Sequence, residues 1–112
     1  MSKVLTSPVE EYAGTVTIPD RLTAPQYMIY KKTSREVQAA GDDYDELAIT
    51  ALPGVLALVE EWNISGLESP AFETFPMTPI VPAVRFLLFI WGEINHLVVP
   101  VTEAPNEQSP QP

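Results

Sequence analysis

The chain has 112 residues, of which 46% are hydrophobic, so it is long enough for one domain around one core. Its formal net charge of −9 argues against nucleic-acid binding through clustered Lys and Arg, and against binding to an anionic membrane surface. Cysteine is absent, which excludes disulfides and thiol chemistry.

The first predicted element is a short strand over residues 14–18, because its TVTI run is β-branched throughout and Pro19 ends it. Residues 1–13 lack a signal-peptide pattern and are expected to form a flexible leader. A single strand needs a pairing partner. The candidates are residues 3–6 of the leader, residues 72–75, or another copy of the chain.

The first helix is predicted to begin after Thr23, a residue type that caps helix N-termini, with Pro25 in its first turn. Lys31, Lys32 and Arg35 lie on the outer side of this helix. They form either a solvated face that suits the later turns of a helix or a partner-binding surface.

The acidic run over residues 42–46 is predicted to open the second helix, where the macrodipole favours carboxylates. It lacks the spacing of a calcium loop, so no metal site is predicted. Apolar residues recur at helical steps from Tyr44 to Trp62, and Asn63 with the glycine beyond it ends the helix. Pro53 removes a backbone donor within this pattern, so we expect two helical pieces or a kink.

The closing helix is predicted to open at residues 78–82 and to run to Val98. Its unbroken apolar run, residues 86–91, is too short to cross a membrane, so no transmembrane helix is predicted. A helix that is apolar on more than one side lies either at the centre of a fold or at an interface. We therefore predict a partner-binding surface at Phe86, Phe89, Ile90 and Trp91. If residues 72–75 cover that side, the protein is instead a compact monomer.

These patterns predict a mainly α fold, a small single-domain helical protein of three to four helices with one short N-terminal β-strand or hairpin. The helical domain spans residues 14–99, and residues 100–112 form a disordered, acidic, proline-rich tail. Trp62 and Trp91 are predicted to be buried on the apolar faces of the two strongest helices. A single histidine, the absence of G-x-S-x-G and the absence of a glycine-rich phosphate loop argue against an enzyme, so neither catalytic residues nor a cofactor are predicted.

Three stretches together resemble the tail assembly chaperones of long-tailed, siphovirus-like phages: GTVTIPDRLTAPQY, ALPGVLALVEEWNISGL and the proline-opened closing helix. The family pattern is a strand followed by P-D-x-L-T-x-P-Q, and an E-W-N exit before a final helix. The residues that carry this structural motif here are Pro25, Pro53, Trp62 and Asn63. The resemblance implies a non-enzymatic protein of the host cytoplasm that coats the tape-measure protein while the tail tube assembles, and that is absent from the mature virion. The implied partners are the tape-measure and tail tube proteins, and a homo-oligomer is compatible with this role.

Two other functions fit the same sequence. One is a structural head–tail connector or tail-completion protein, which stays in the virion. The other is an acidic inhibitor that mimics nucleic acid, for which the carboxylates would have to spread over one continuous face. In this sequence they cluster at helix starts and loops.

Overall fold

The computed structural model describes residues 2–99 of the chain, and the predicted tail over residues 100–112 lies outside this range. The elements in chain order are β1 (Ser2–Thr6), a 3-10 turn (Glu10–Tyr12), β2 (Gly14–Pro19), α1 (Ala24–Ala39), α2 (Tyr44–Leu58), β3 (Glu61–Ile64) and α3 (Ile80–Val98). The strands form an antiparallel sheet in the order β1-β2-β3. Helix α2 packs against both α1 and α3. Because the described chain contains three α-helices and a three-stranded sheet, the fold is mixed helix and sheet.

The prediction of a mainly α fold is wrong because it missed β3 and so missed the sheet. Helix α2 ends at Leu58, and Val59 already has extended backbone angles. Trp62 and Ile64 then turn toward the core while their neighbours are exposed, and Trp62 pairs with Val16 of β2. Trp62 follows Leu58 by four residues, which also fits a helix, and this ambiguity concealed the strand.

Residues 1–13, expected to be a flexible leader, contain β1 and the 3-10 turn. Strand β1 pairs with β2 and places Leu5 opposite Val16 on the buried face. The leader is therefore the partner of β2 among the three candidates. Lys3 Nζ also lies 3.1 Å from Glu93 Oε1, an ion pair that connects this edge strand to α3.

Helix α1 begins where the sequence predicts. Thr23 Oγ1 accepts a hydrogen bond from the Gln26 amide at 3.4 Å, and Gln26 Oε1 accepts one from the Thr23 amide at 2.9 Å. This reciprocal pair is a capping box, and Pro25 occupies the first turn inside it. The predicted cap at Thr23 is confirmed.

Helix α2 is capped by one carboxylate of the acidic run. Asp43 Oδ1 accepts hydrogen bonds from the amides of Asp45 at 3.1 Å and Glu46 at 3.3 Å. The helix then stays continuous through Pro53, so the expected division into two pieces does not occur. Pro53 has no N–H to donate to the carbonyl of Ile49, four residues earlier. Both residues are exposed, so this carbonyl lies on the outer side of the helix.

One side of α3 is covered by the sheet, the 3-10 turn and the connector that precedes the helix. Phe86 is fully buried and stacks on Tyr12 with 4.7 Å between ring centroids. Its ring also lies 6.2 Å from Trp62 of β3 and 6.5 Å from Phe75 of the connector. Phe75 is buried, whereas Phe72 is half exposed, so Phe75 is the connector phenylalanine that packs into the core.

The helical side of α3 is covered by α1 and α2. Trp91 stacks on Tyr30 of α1 at 5.3 Å between ring centroids, and the Tyr30 hydroxyl donates to Asn95 Oδ1 at 2.6 Å. Among the helices within residues 2–99, α3 alone is long and apolar enough to cross a membrane. The core helix of a folded domain passes the same test, and eight residues of α3 are buried in this fold.

Candidate functional site

The partner-binding surface predicted on α3 is largely core. Phe86 and Ile90 are fully buried and Trp91 is 6% exposed, so none of the three is available to a partner. Phe89 is half buried and packs against the core. The prediction assumed that only one side of α3 is covered by the rest of the fold. In the structure the sheet covers one side and helices α1 and α2 cover another, so the exposed apolar side chains lie elsewhere.

The four motif residues shape the fold and do not form a common surface. Pro25 and Pro53 are exposed on α1 and α2. Trp62, which was predicted to be buried, is only partly buried and packs against the core. Asn63 is exposed on β3, and its backbone carbonyl lies so close to Gly14 that a Cβ there would collide with it. Gly14 therefore permits the close pairing of β2 with β3.

An open apolar groove lies where the first turn of α2 meets the first turns of α3. Its volume is about 570 Å³. We call it the α2–α3 groove, and its lining residues are Tyr44, Asp45, Val81, Val84, Arg85 and Leu88. The four α3 residues are spaced as i, i+3, i+4 and i+7, so they form one continuous stripe along the helix.

The floor of the α2–α3 groove is apolar, and its rim carries both apolar and charged side chains. Tyr44 is 68% exposed and Val81 is 62% exposed, whereas Val84 is buried and Leu88 half buried between them. The pattern of α2 assigned Tyr44 to the core, but the core begins one turn later, at Ala48. Apolar residues recur at helical spacing at positions 81, 84 and 88, and this spacing is the sequence pattern from which the groove could have been predicted.

A second surface combines apolar side chains with most of the positive charge of the helices. We call it the α1 basic face, and its residues are Met28, Ile29, Lys31, Lys32 and Arg35. Met28 is 71% exposed, although its position in the sequence pattern placed it with the apolar residues of α1. The spacing from 28 to 31, 32 and 35 puts the cations around Met28 on one side of the helix.

Tyr12 has a shifted pKa and lies in the core, where it lines neither of the two surfaces. Burial raises the pKa of the Tyr12 phenol, and the negative charge of Glu11 raises it further. The Tyr12 hydroxyl donates to the Pro76 carbonyl at 2.9 Å, so it fastens the connector to the 3-10 turn. Within residues 2–99, no three His, Cys, Asp or Glu side chains are grouped in a way that would hold a metal ion.

Comparison with known proteins adds no relative. No family model, curated protein or solved structure matches the chain. The resemblance to tail assembly chaperones therefore rests on the sequence motifs, and the candidate site rests on the geometry of the α2–α3 groove.

Proposed function

We propose that this protein is a non-enzymatic phage tail assembly chaperone, and that it binds an apolar helical segment of the tape-measure protein in the α2–α3 groove. The observation that carries the proposal is the exposure of Tyr44 and Val81 on either side of an apolar floor. Exposed apolar surface of this kind marks sites of association. The motifs of the sequence supply the class of partner.

The shape of the groove suits a helix. The stripe from Val81 to Leu88 covers eight residues, and its seven helical steps extend roughly 10 Å along α3, or about two turns. An amphipathic helix would place apolar side chains at three- and four-residue steps against this stripe. Arg85 lies within the stripe and offers a cation to an acidic side chain at the edge of such a helix.

The test is binding of the purified protein to the tape-measure protein of the same phage, measured for Val81→Glu and a matched control. Val81 is the second residue of α3, where a carboxylate is favoured by the helix macrodipole, so the variant should fold. The new carboxylate lies one helical turn before Arg85 and can pair with it. A helix docked on the stripe still takes this charge out of water, which costs about 1–3 kcal/mol, so the Kd should rise about fivefold to a hundredfold. The control is Val4→Glu, because Val4 is 63% exposed on β1.

We expect Val4→Glu to bind like the parent. Equal binding by Val81→Glu and the parent would move the partner surface away from the groove. If the parent itself does not bind the tape-measure protein, the proposed function is wrong. A structural connector is separated from a chaperone by the composition of purified particles, because a connector stays in the particle and a chaperone does not.

A further inference from the structure

The distribution of charge sets the α1 basic face apart from the rest of the molecule. The whole chain has six Lys and Arg against 15 Asp and Glu. Three of those six cations, Lys31, Lys32 and Arg35, lie on this face around the exposed side chain of Met28. Within residues 2–99, none of the three has a carboxylate within ion-pair distance.

A complementary surface lies on the same chain at the α2–α3 groove. The lining residues Tyr44 and Asp45 belong to the acidic turn that opens α2. The carboxylates of this turn are Asp42, Asp43, Asp45 and Glu46. Asp45 lines the groove itself beside Tyr44. In the described part of the chain, the carboxylates of this turn form no ion pair with the α1 basic face. Arg85 offsets one of the four negative charges, which leaves the border of the groove acidic.

We infer that the α1 basic face of one copy docks into the α2–α3 groove of a second copy. The two surfaces match in both respects that decide such a contact. Met28 and Ile29 supply apolar side chains for the groove, while the three cations meet the acidic turn at its border. A partner that was only acidic would satisfy the cations and leave the exposed apolar side chains uncovered.

The contact joins two different surfaces, so each copy carries both halves of it. Contacts of this heterologous type close into a ring or continue as a helical array, depending on the rotation between copies. A docked copy also covers Tyr44 and Val81 of its neighbour. Self-association and the binding of a partner helix in the same groove therefore exclude each other.

The test uses two charge-reversed variants of the full chain. Lys31→Glu/Lys32→Glu makes the face acidic, and Asp42→Lys/Asp45→Lys makes the border of the groove basic. The cap residue Asp43 is left unchanged because it holds the start of α2. In each variant alone, like charges face each other across the contact, so we expect the association constant to fall at least about tenfold. Sedimentation velocity measures the mass of each variant over a range of concentration.

The equimolar mixture of the two variants is the decisive sample. In the mixture, the acidic α1 face of Lys31→Glu/Lys32→Glu meets the basic groove border of Asp42→Lys/Asp45→Lys. The unchanged basic face of Asp42→Lys/Asp45→Lys meets the unchanged acidic groove border of Lys31→Glu/Lys32→Glu. We expect the mixture to regain the mass of the parent, and high salt to reduce it because salt screens the rim charges. Met28→Gln tests the apolar contact between Met28 and the groove. This variant should associate more weakly than the parent, although its net charge is the same.

Three results would overturn the inference. They are a parent that stays monomeric up to its solubility limit, charge-reversed variants with the mass of the parent, and a mixture that does not recover that mass. The experiment contains no tape-measure protein, so the inference does not rest on the proposed function. Binding of the tape-measure protein, assayed separately with Val81→Glu, stands or falls independently of these results.

Discussion

Helices α1 and α2 pack tightly at Gly54, and replacing this glycine by alanine tests the packing of the helical layer. A Cβ at Gly54 would lie 2.5 Å from Thr33 Oγ1, 2.7 Å from Thr33 Cγ2 and 2.9 Å from Thr33 Cβ. Rotation of the Thr33 side chain does not remove the clash, because its Cβ does not move with χ1. The hydroxyl is also held by its hydrogen bond to the Ile29 carbonyl at 2.9 Å.

Two opposing effects set the size of the change in stability. Forcing an extra methyl group into a packed contact costs about 1–3 kcal/mol. Alanine gains about 0.5–1 kcal/mol over glycine in a helix interior. We therefore expect Gly54→Ala to lose about 1–2 kcal/mol of unfolding free energy. At about 4–8 °C per kcal/mol, the Tm falls by about 4–16 °C.

The control is Gly92→Ala, which changes the same residue type inside α3 where a Cβ meets no atom within 4 Å. This variant should gain about 0.5–1 kcal/mol. Denaturant unfolding and differential scanning calorimetry measure both variants. In the double variant Gly54→Ala/Thr33→Ala the 2.9 Å contact with Cβ remains while the contacts with Oγ1 and Cγ2 are gone, so Gly54→Ala should cost less in the Thr33→Ala background than in the parent. A Gly54→Ala protein as stable as Gly92→Ala would show that the two helices are not in close contact there.

The remaining predictions concern the aromatic core. In Tyr12→Phe the stability should become less sensitive to alkaline pH: the folded pKa lies above the unfolded value of 10.0, so the protonated phenol stabilises the fold fully below pH 10 and this stability is lost as pH rises through the folded pKa. Denaturant midpoints at neutral pH and above pH 10 check this. Trp91→Ala should cost about 3–5 kcal/mol, and Trp62→Ala should cost less because Trp62 is only partly buried, in the same unfolding assay. Tyr30→Phe should cost about 1–3 kcal/mol, because it leaves Asn95 Oδ1 without its donor.

Helix starts were predictable from the sequence because their determinants are local. Thr23, Gln26 and Pro25 lie within four positions and decide the start of α1 by themselves. The strand at residues 14–18 was likewise visible from its β-branched run and became β2. In both cases the residues that satisfy the backbone are neighbours in the sequence.

The sheet was not predictable in the same way because its stability depends on residues far apart in the chain. Strand β3 has four residues, and Trp62 satisfies helical and strand spacing equally well. Its pairing with β2 joins Trp62 to Val16, which are 46 positions apart in the sequence. Missing β3 also explains why the sequence predicted a partner surface at Phe86 and Ile90: without the sheet, the side of α3 that carries these two buried residues had no covering layer.

The positions of the motif residues limit what the family resemblance says about binding. Pro25 lies in the first turn of α1, Pro53 is internal to α2, and Trp62 and Asn63 form the middle of β3. None of them lines the α2–α3 groove or the α1 basic face. The motifs therefore support the path of the chain, while the binding site that we propose consists of side chains outside them. A protein that kept the motifs but changed Tyr44 or Val81 would keep this fold and lose the proposed binding site.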